Sequence, residues 1–233
     1  KYDFETPVST DITLCAKWEK NETPTPDPLP DIDPKPEPKP DPKPTPSETI
    51  QAPQIVSVQS IAKKKITAVQ ITVEAVQGAT GYQIYRKKGS KVTMIGQTSG
   101  TVFLDQNPVS GKSSYYAKAI KGSLTGKEGS AKKITLPKAT TKVTAKAKTD
   151  KTVVLSWKKV KGATGYLVYR STKKNGSYQR IAVLKKGTKC TYTDKKGLKK
   201  GMKYHYRIVT VKKKTYSPAK TTKAVKIKAA KKK

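Results

Sequence analysis

The chain is poor in the groups that do chemistry. Its 233 residues include one histidine, two cysteines, two methionines, two tryptophans and two phenylalanines. His205 has no second imidazole to work with, and Cys15 and Cys190 lie in segments of different composition, so neither a zinc site nor a disulfide between them is expected. Beyond residue 50 the carboxylates are only Glu74, Asp105, Glu128, Asp150 and Asp194. No phosphate-cradling glycine loop and no nucleophile elbow is present, and no apolar run has the length of a membrane span. These absences exclude the usual constellations of catalysis. We expect no enzyme, no catalytic residue, no metal ligand and no cofactor.

Acid is scarce where base is abundant. Residues 1 to 50 carry 6 Lys against 11 Asp plus Glu, a net of −5, whereas residues 51 to 233 carry 44 Lys plus Arg against 5 acids, a net of +39. Only Arg86, Arg170, Arg180 and Arg207 among the fifty bases are arginines. Lysine is a mobile point charge without the planar fork that reads phosphates or bases. Diffuse attraction to a polyanion is therefore expected in preference to sequence reading.

What the chain does have is repetition. Gly78-Ala79-Thr80-Gly81-Tyr82 with Tyr85-Arg86 returns 84 positions later as Gly162-Ala163-Thr164-Gly165-Tyr166 with Tyr169-Arg170. Between and around these copies run alternating apolar residues, Val153, Leu155 and Trp157 in the second repeat against Val69, Ile71 and Val73 in the first, the period of half-buried strands. Asn175-Gly176 marks a hairpin turn, and Ala224 to Ile227 reads as a closing strand. Val102 to Asp105 matches Thr191 to Asp194 at an offset of 89, which places about five extra residues in the middle loops of the second repeat. The equivalence of Asp105 and Asp194 predicts a structural turn in which Asp bonds nearby amides.

The fold class predicted is all-β: two tandem immunoglobulin-like β-sandwiches at 53 to 137 and 138 to 229, with a basic tail at 230 to 233. Before them, residues 21 to 52 form a linker in which nearly every second residue from Thr23 to Pro46 is proline, the pattern of a polyproline II spacer holding its ends roughly 70 Å apart.

Three features carry family resemblances. The Trp157 strand, the repeated Gly-bounded turn and the six-residue spacing from Leu198 to Tyr204 resemble fibronectin type III modules, where such a Tyr caps the connection between sheets. Val109 and Tyr115 keep the same spacing in the first repeat, where Val73 in place of Trp and the small Ala117 and Ala119 imply a thinner core. Residues 1 to 20, with Pro7-Val8, Asp11 to Leu14 and Ala16 to Trp18, resemble the closing strands of the Listeria-Bacteroides repeat, of the internalin B type. Together with the Lys-rich loops these look like modules of secreted or cell-wall-associated proteins from Gram-positive bacteria. The absence of an initiator Met and of a sorting motif at the end leads us to expect the C-terminal part of a longer protein, retained by charge or simply secreted.

One candidate ligand face follows from strand alternation. With Tyr166, Val168, Tyr204 and Tyr206 inward, Leu167, Tyr169, His205 and Arg207 fall on the outer face of the second repeat, His205 as a solvated residue. Tyr85, Tyr116 and Lys118 do so in the first. Exposed aromatics beside cations stack on sugars or bases while the cations hold an anionic backbone. The function expected is a spacer with binding or adhesion modules for an anionic cell-wall polymer or glycan, or a host surface, acting as a monomer without a membrane span. The competing expectation is the accessory region of a secreted glycan-active or proteolytic enzyme with its catalytic domain upstream. Nucleic acid would be bound only non-specifically.

Overall fold

The structure, a computed structural model, describes residues 49–227. The Listeria-Bacteroides-like segment, nearly all of the Pro-rich linker and the basic tail lie outside them.

The described residues are strand and loop throughout, and every strand pair is antiparallel. In the first repeat β1 (Ile55–Ala62), β2 (Thr67–Val73) and β5 (Val102–Asp105) make one sheet in the order β1-β2-β5. β4 (Lys91–Thr98), β3 (Gly81–Lys88), β6 (Gly111–Lys121) and β7 (Leu124–Glu128) make the other, with β8 (Lys132–Leu136) also on β6. The second repeat copies this plan. β9 (Thr144–Ala147), β10 (Val153–Ser156) and β13 (Thr191–Asp194) form one sheet. β12 (Gln179–Leu184), β11 (Gly165–Ser171) and β14 (Lys203–Lys212) form the other, extended by β15 (Thr215–Tyr216), β16 (Lys220–Thr221) and β17 (Val225–Lys226), each paired with β14.

Each repeat has its own core, filled by alternate residues of facing sheets. Val69, Ile71, Val73, Ile84, Tyr115, Ala117 and Ala119 fill the first; Val153, Leu155, Trp157, Tyr166, Val168, Tyr206 and Ile208 fill the second. Trp157 packs edge-on against Tyr166 at 5.3 Å. At the equivalent strand position the first repeat has only Val73, so its core holds less aromatic volume.

The repeated five-residue signature has a physical reason at each position. Gly78 and Gly162 sit at φ +74 and +75, where a Cβ is strained. The next Ala closes a tight turn, Ala79 N–H to the Val76 carbonyl and Ala163 N–H to the Val160 carbonyl, both 3.1 Å. The Thr hydroxyl donates across the sheet, Thr80 to Ile120 O and Thr164 to Val211 O, again 3.1 Å. At Gly81 and Gly165 a Cβ would come within 2.9 Å of the Thr98 carbonyl oxygen and 2.2 Å of that of Leu184. The Tyr hydroxyl then accepts the N–H six residues back, Val76 to Tyr82 at 2.8 Å and Val160 to Tyr166 at 3.0 Å. The signature is a folding device in which each side chain satisfies or spares a backbone group.

A second duplicated device ties the two sheets of each sandwich together. Arg86 Nη1 donates to Asp105 Oδ2, which also accepts the Tyr115 hydroxyl at 2.8 Å. Arg170 Nη1 reaches Asp194 Oδ2 at 2.8 Å, and the Tyr206 hydroxyl reaches the same oxygen at 2.9 Å. The other carboxylate oxygen takes a backbone N–H two residues on, Asn107 at 3.0 Å and Lys196 at 3.3 Å, as the Asp equivalence implies. Burial, helped by the neighbouring carboxylate, pushes the Tyr115 and Tyr206 phenols far above their ordinary range.

These registers correct one expectation. Tyr204 does cap the inter-sheet connection, its hydroxyl accepting Lys199 N–H at 3.0 Å. Tyr115, however, opposes Arg86 as Tyr206 opposes Arg170, so it is the counterpart of Tyr206. The position of Tyr204 is held by Ser113, which is buried with an unpartnered hydroxyl. The six-residue spacing from Val109 misleads because the connection from Asp to core Tyr spans ten residues in the first repeat and twelve in the second.

Candidate functional site

Strand alternation places the expected outer faces correctly, but the structure gives them different surroundings. In the first repeat Tyr85 and Tyr116 are direct cross-strand partners. Their rings stack at 5.0 Å with planes 3° apart, and Lys118 Nζ lies 5.5 Å from the Tyr85 centroid. The Tyr85 hydroxyl donates to Gln83 Oε1 at 2.8 Å. Tyr116 is nevertheless buried, and burial together with Glu128 raises its phenol. Tyr85 and Lys118 are half-buried on this face, beside the exposed Met94 that pairs with Tyr85.

In the second repeat the expectation of an exposed aromatic surface fails. Leu167 and Tyr169 are 4% and 2% exposed. With Tyr178 and Val209 they form a third apolar cluster, against which Ala62 of the first repeat packs together with Val211, Tyr216 and Ala219. The β1–β2 turn of the first repeat is held there by polar contacts. The Tyr169 hydroxyl donates to the Lys63 carbonyl at 3.0 Å, and Arg180 gives its backbone N–H to the Lys64 carbonyl at 2.9 Å and Nη1 to the Ala62 carbonyl at 3.3 Å. Tyr216 N–H donates to Ser60 Oγ at 2.9 Å. A face left open by its own sandwich is covered by the neighbouring one, so Leu167 and Tyr169 do not form an open aromatic surface.

His205 and Arg207 stand on the same face, along β14. His205 is half-buried with its Nδ1 unpartnered, not a freely solvated residue. Arg207 lies over the Tyr178 ring, its guanidinium carbon 3.9 Å from the centroid, and its Nε is buried without an acceptor. Burial pushes the Tyr178 phenol up, and Arg207 pulls it partly back. The seven predicted residues thus form two groups on two sheets, Tyr85, Tyr116 and Lys118 on one and Leu167, Tyr169, His205 and Arg207 on the other.

Sequence reasoning passed over Tyr178, Arg180 and Tyr216, which with Tyr169 make the junction. The signal was arginine in a chain that otherwise uses lysine. Two of the four arginines hold buried carboxylates, one holds carbonyl oxygens of the other repeat, and one stacks on a tyrosine. Among the described residues no group of three or more His, Cys, Asp or Glu is placed to hold a metal ion.

Two antiparallel sheets, a core Trp, and a Tyr capping the inter-sheet connection define a β-sandwich of the fibronectin type III kind. Residues 137–225 match the family model of the fibronectin type III domain. Among solved structures, the chain is similar to a two-domain fibronectin type III segment of chicken tenascin, at 16% identity over 77% of this chain and 99% of that one, with a TM-score of 0.36. It is also similar to a fibronectin type III-like protein from Clostridium thermocellum, at 28% identity over 39% of this chain and 90% of that one, with a TM-score of 0.33. A search of the curated proteins finds no match.

Proposed function

We propose that this region is a non-catalytic pair of sandwich modules, borne on a Pro-rich spacer, that holds a secreted or surface protein against an anionic polymer such as a wall polymer or acidic glycan. The fibronectin type III domain at 137–225 belongs to a family of typically non-catalytic modules, which fits such a region. The observation that carries the binding half is the fate of the acids. Residues 51 to 233 hold 44 bases and 5 acids. Asp105 and Asp194 are buried in the internal Arg-Asp-Tyr locks, and Asp150 pairs with Lys200 at 3.1 Å. The outward field is consequently positive with little local compensation, and it attracts polyanions by releasing their counterions.

The test is retention of the full chain on purified Gram-positive cell walls, with and without teichoic acid, across a salt series. We expect binding that needs the polymer and falls steeply as salt rises. Retention indifferent to both overturns the polyanion reading and leaves a spacer.

A further inference from the structure

We propose that the cleft between the two sandwiches is a binding pocket for the carboxylate or phosphate of an acidic sugar unit, with Arg207 as its anion-holding residue. The proposal rests on the polyanion reading above and names the place and the chemical unit. The cleft encloses about 500 Å³, within the range of small-molecule sites. Lys65, Thr67 and Gln106 of the first sandwich and Asn175, Ser177 and Arg207 of the second line it. It exists only because the β1–β2 turn docks on the β11–β14 face, so neither module makes it alone.

Three observations point to an oxyanion. First, the cations reach the cleft from both sides, Lys65 from one sandwich and Arg207 from the other, and no carboxylate lines it. Second, the Arg207 guanidinium is seated over the Tyr178 ring, 3.9 Å from its centroid, a contact that restrains the fork with which arginine binds oxyanions. Third, its Nε is buried with no acceptor. A buried donor without a partner is costly, so the fold does not use all the hydrogen-bonding capacity of this guanidinium, and an anion on its other nitrogens would perturb the Nε–H beside them. Beside Ile66 and the rings of Tyr169 and Tyr178, the lining includes Asn175, Ser177, Thr67 and Gln106, neutral hydrogen-bonding groups suited to sugar hydroxyls.

The sequence has made room for this wall. Tyr169 opposes Arg180 across the β11–β12 hairpin, whereas the equivalent Tyr85 opposes Met94, so the hairpin of the second repeat is two residues longer. Its loop supplies Asn175 and Ser177.

The Nε–H resonance of Arg207 in the ¹⁵N-labelled full chain reads the pocket directly. Titration with glucuronate and with glucose 6-phosphate should move it saturably in the millimolar range, and neutral glucose should leave it in place; the two acids separate carboxylate from phosphate preference. Arg207→Met should weaken glucuronate or glucose 6-phosphate binding about tenfold or more, followed by lysine and backbone shifts at the cleft. Asn175→Ala, which leaves the Arg207–Tyr178 stack intact, should weaken it several-fold. An Nε–H that stays fixed while surface lysines respond overturns the pocket. Wall retention fails only if the diffuse field is wrong, and the Nε–H titration only if the cleft is, so the two failures are distinct.

Discussion

The two sandwiches carry the same strand plan, the same glycine turn and the same Arg-Asp-Tyr lock, yet their equivalent outer faces have opposite fates. On the second repeat the face of Leu167, Tyr169 and Val209 is sealed by the β1–β2 turn of the first. On the first repeat the register puts Gln83, Tyr85 and Lys118 at the same places, and Lys118 lies over the ring of Tyr85 in the stacked tyrosine pair. Two apolar residues become a glutamine and a lysine, which is what a face needs to stay in water. A duplicated module therefore keeps its lock and its glycine turn and diverges at the surface its neighbour touches.

The largest effect expected is one the repeats share. Asp194→Ala takes the buried carboxylate from Tyr206 and from Arg170, which keeps only the Lys196 carbonyl, and should cost about 3–5 kcal/mol in urea unfolding. Asp105→Ala should cost a similar amount and unfold the first repeat, with its smaller core, at lower urea. A loss under about 1 kcal/mol in either would remove the lock from the account of stability.

The next comparison tests the junction. Tyr169→Ala removes a buried ring and a hydrogen bond between repeats and should cost about 2–4 kcal/mol, with separation of the thermal transitions of the two sandwiches. Tyr85→Ala, at the equivalent place, should stay within about 1 kcal/mol. Equal losses would mean that the docked face is no different from the open one.

Tyr204→Phe and Ser113→Ala sharpen the comparison at the sheet corner. The first takes the acceptor from Lys199 N–H and should cost about 1–2 kcal/mol. The second deletes a buried hydroxyl that bonds nothing and should be neutral or slightly stabilising in the same chemical denaturation.

The smallest and most gradual effect is alkaline. Tyr115 and Tyr206 keep their protons in the folded state at pH values where an unfolded phenol, with a pKa of about 10, has lost its own. Unfolding then releases protons, so the contribution is complete below about pH 10 and declines as pH rises above it. Melting temperature followed from about pH 9 to 12 should fall less steeply in Tyr206→Phe than in the parent chain. Parallel slopes would detach the phenol from the decline.

Much of this was legible one residue at a time. The offset between the glycine signatures located both sandwiches, and alternation assigned Val153, Leu155, Trp157, Tyr166 and Tyr206 to the core, where they are. The Leu198 to Tyr204 spacing identified a real corner. The same rule failed at Val109 and Tyr115 because a spacing counts residues along the chain, while equivalence is set by the cross-strand partner. Alternation put Leu167 and Tyr169 on the outer side of their sheet but says nothing about what lies beyond it.

Periodicity, turn glycines and charge are local properties, and they were enough for the sequence to determine an all-β pair of sandwiches with a basic surface. The Arg-Asp-Tyr locks, the covered tyrosine face and the cleft at Arg207 join residues up to 118 positions apart, as Arg180 and Ala62 show. The locks depend on how the two sheets of one sandwich face each other, and the covered face and the cleft on how one sandwich docks on the other; a pattern read along one strand contains neither geometry. Only the tertiary structure decided them, because burial and hydrogen-bond satisfaction are set by the neighbour in space.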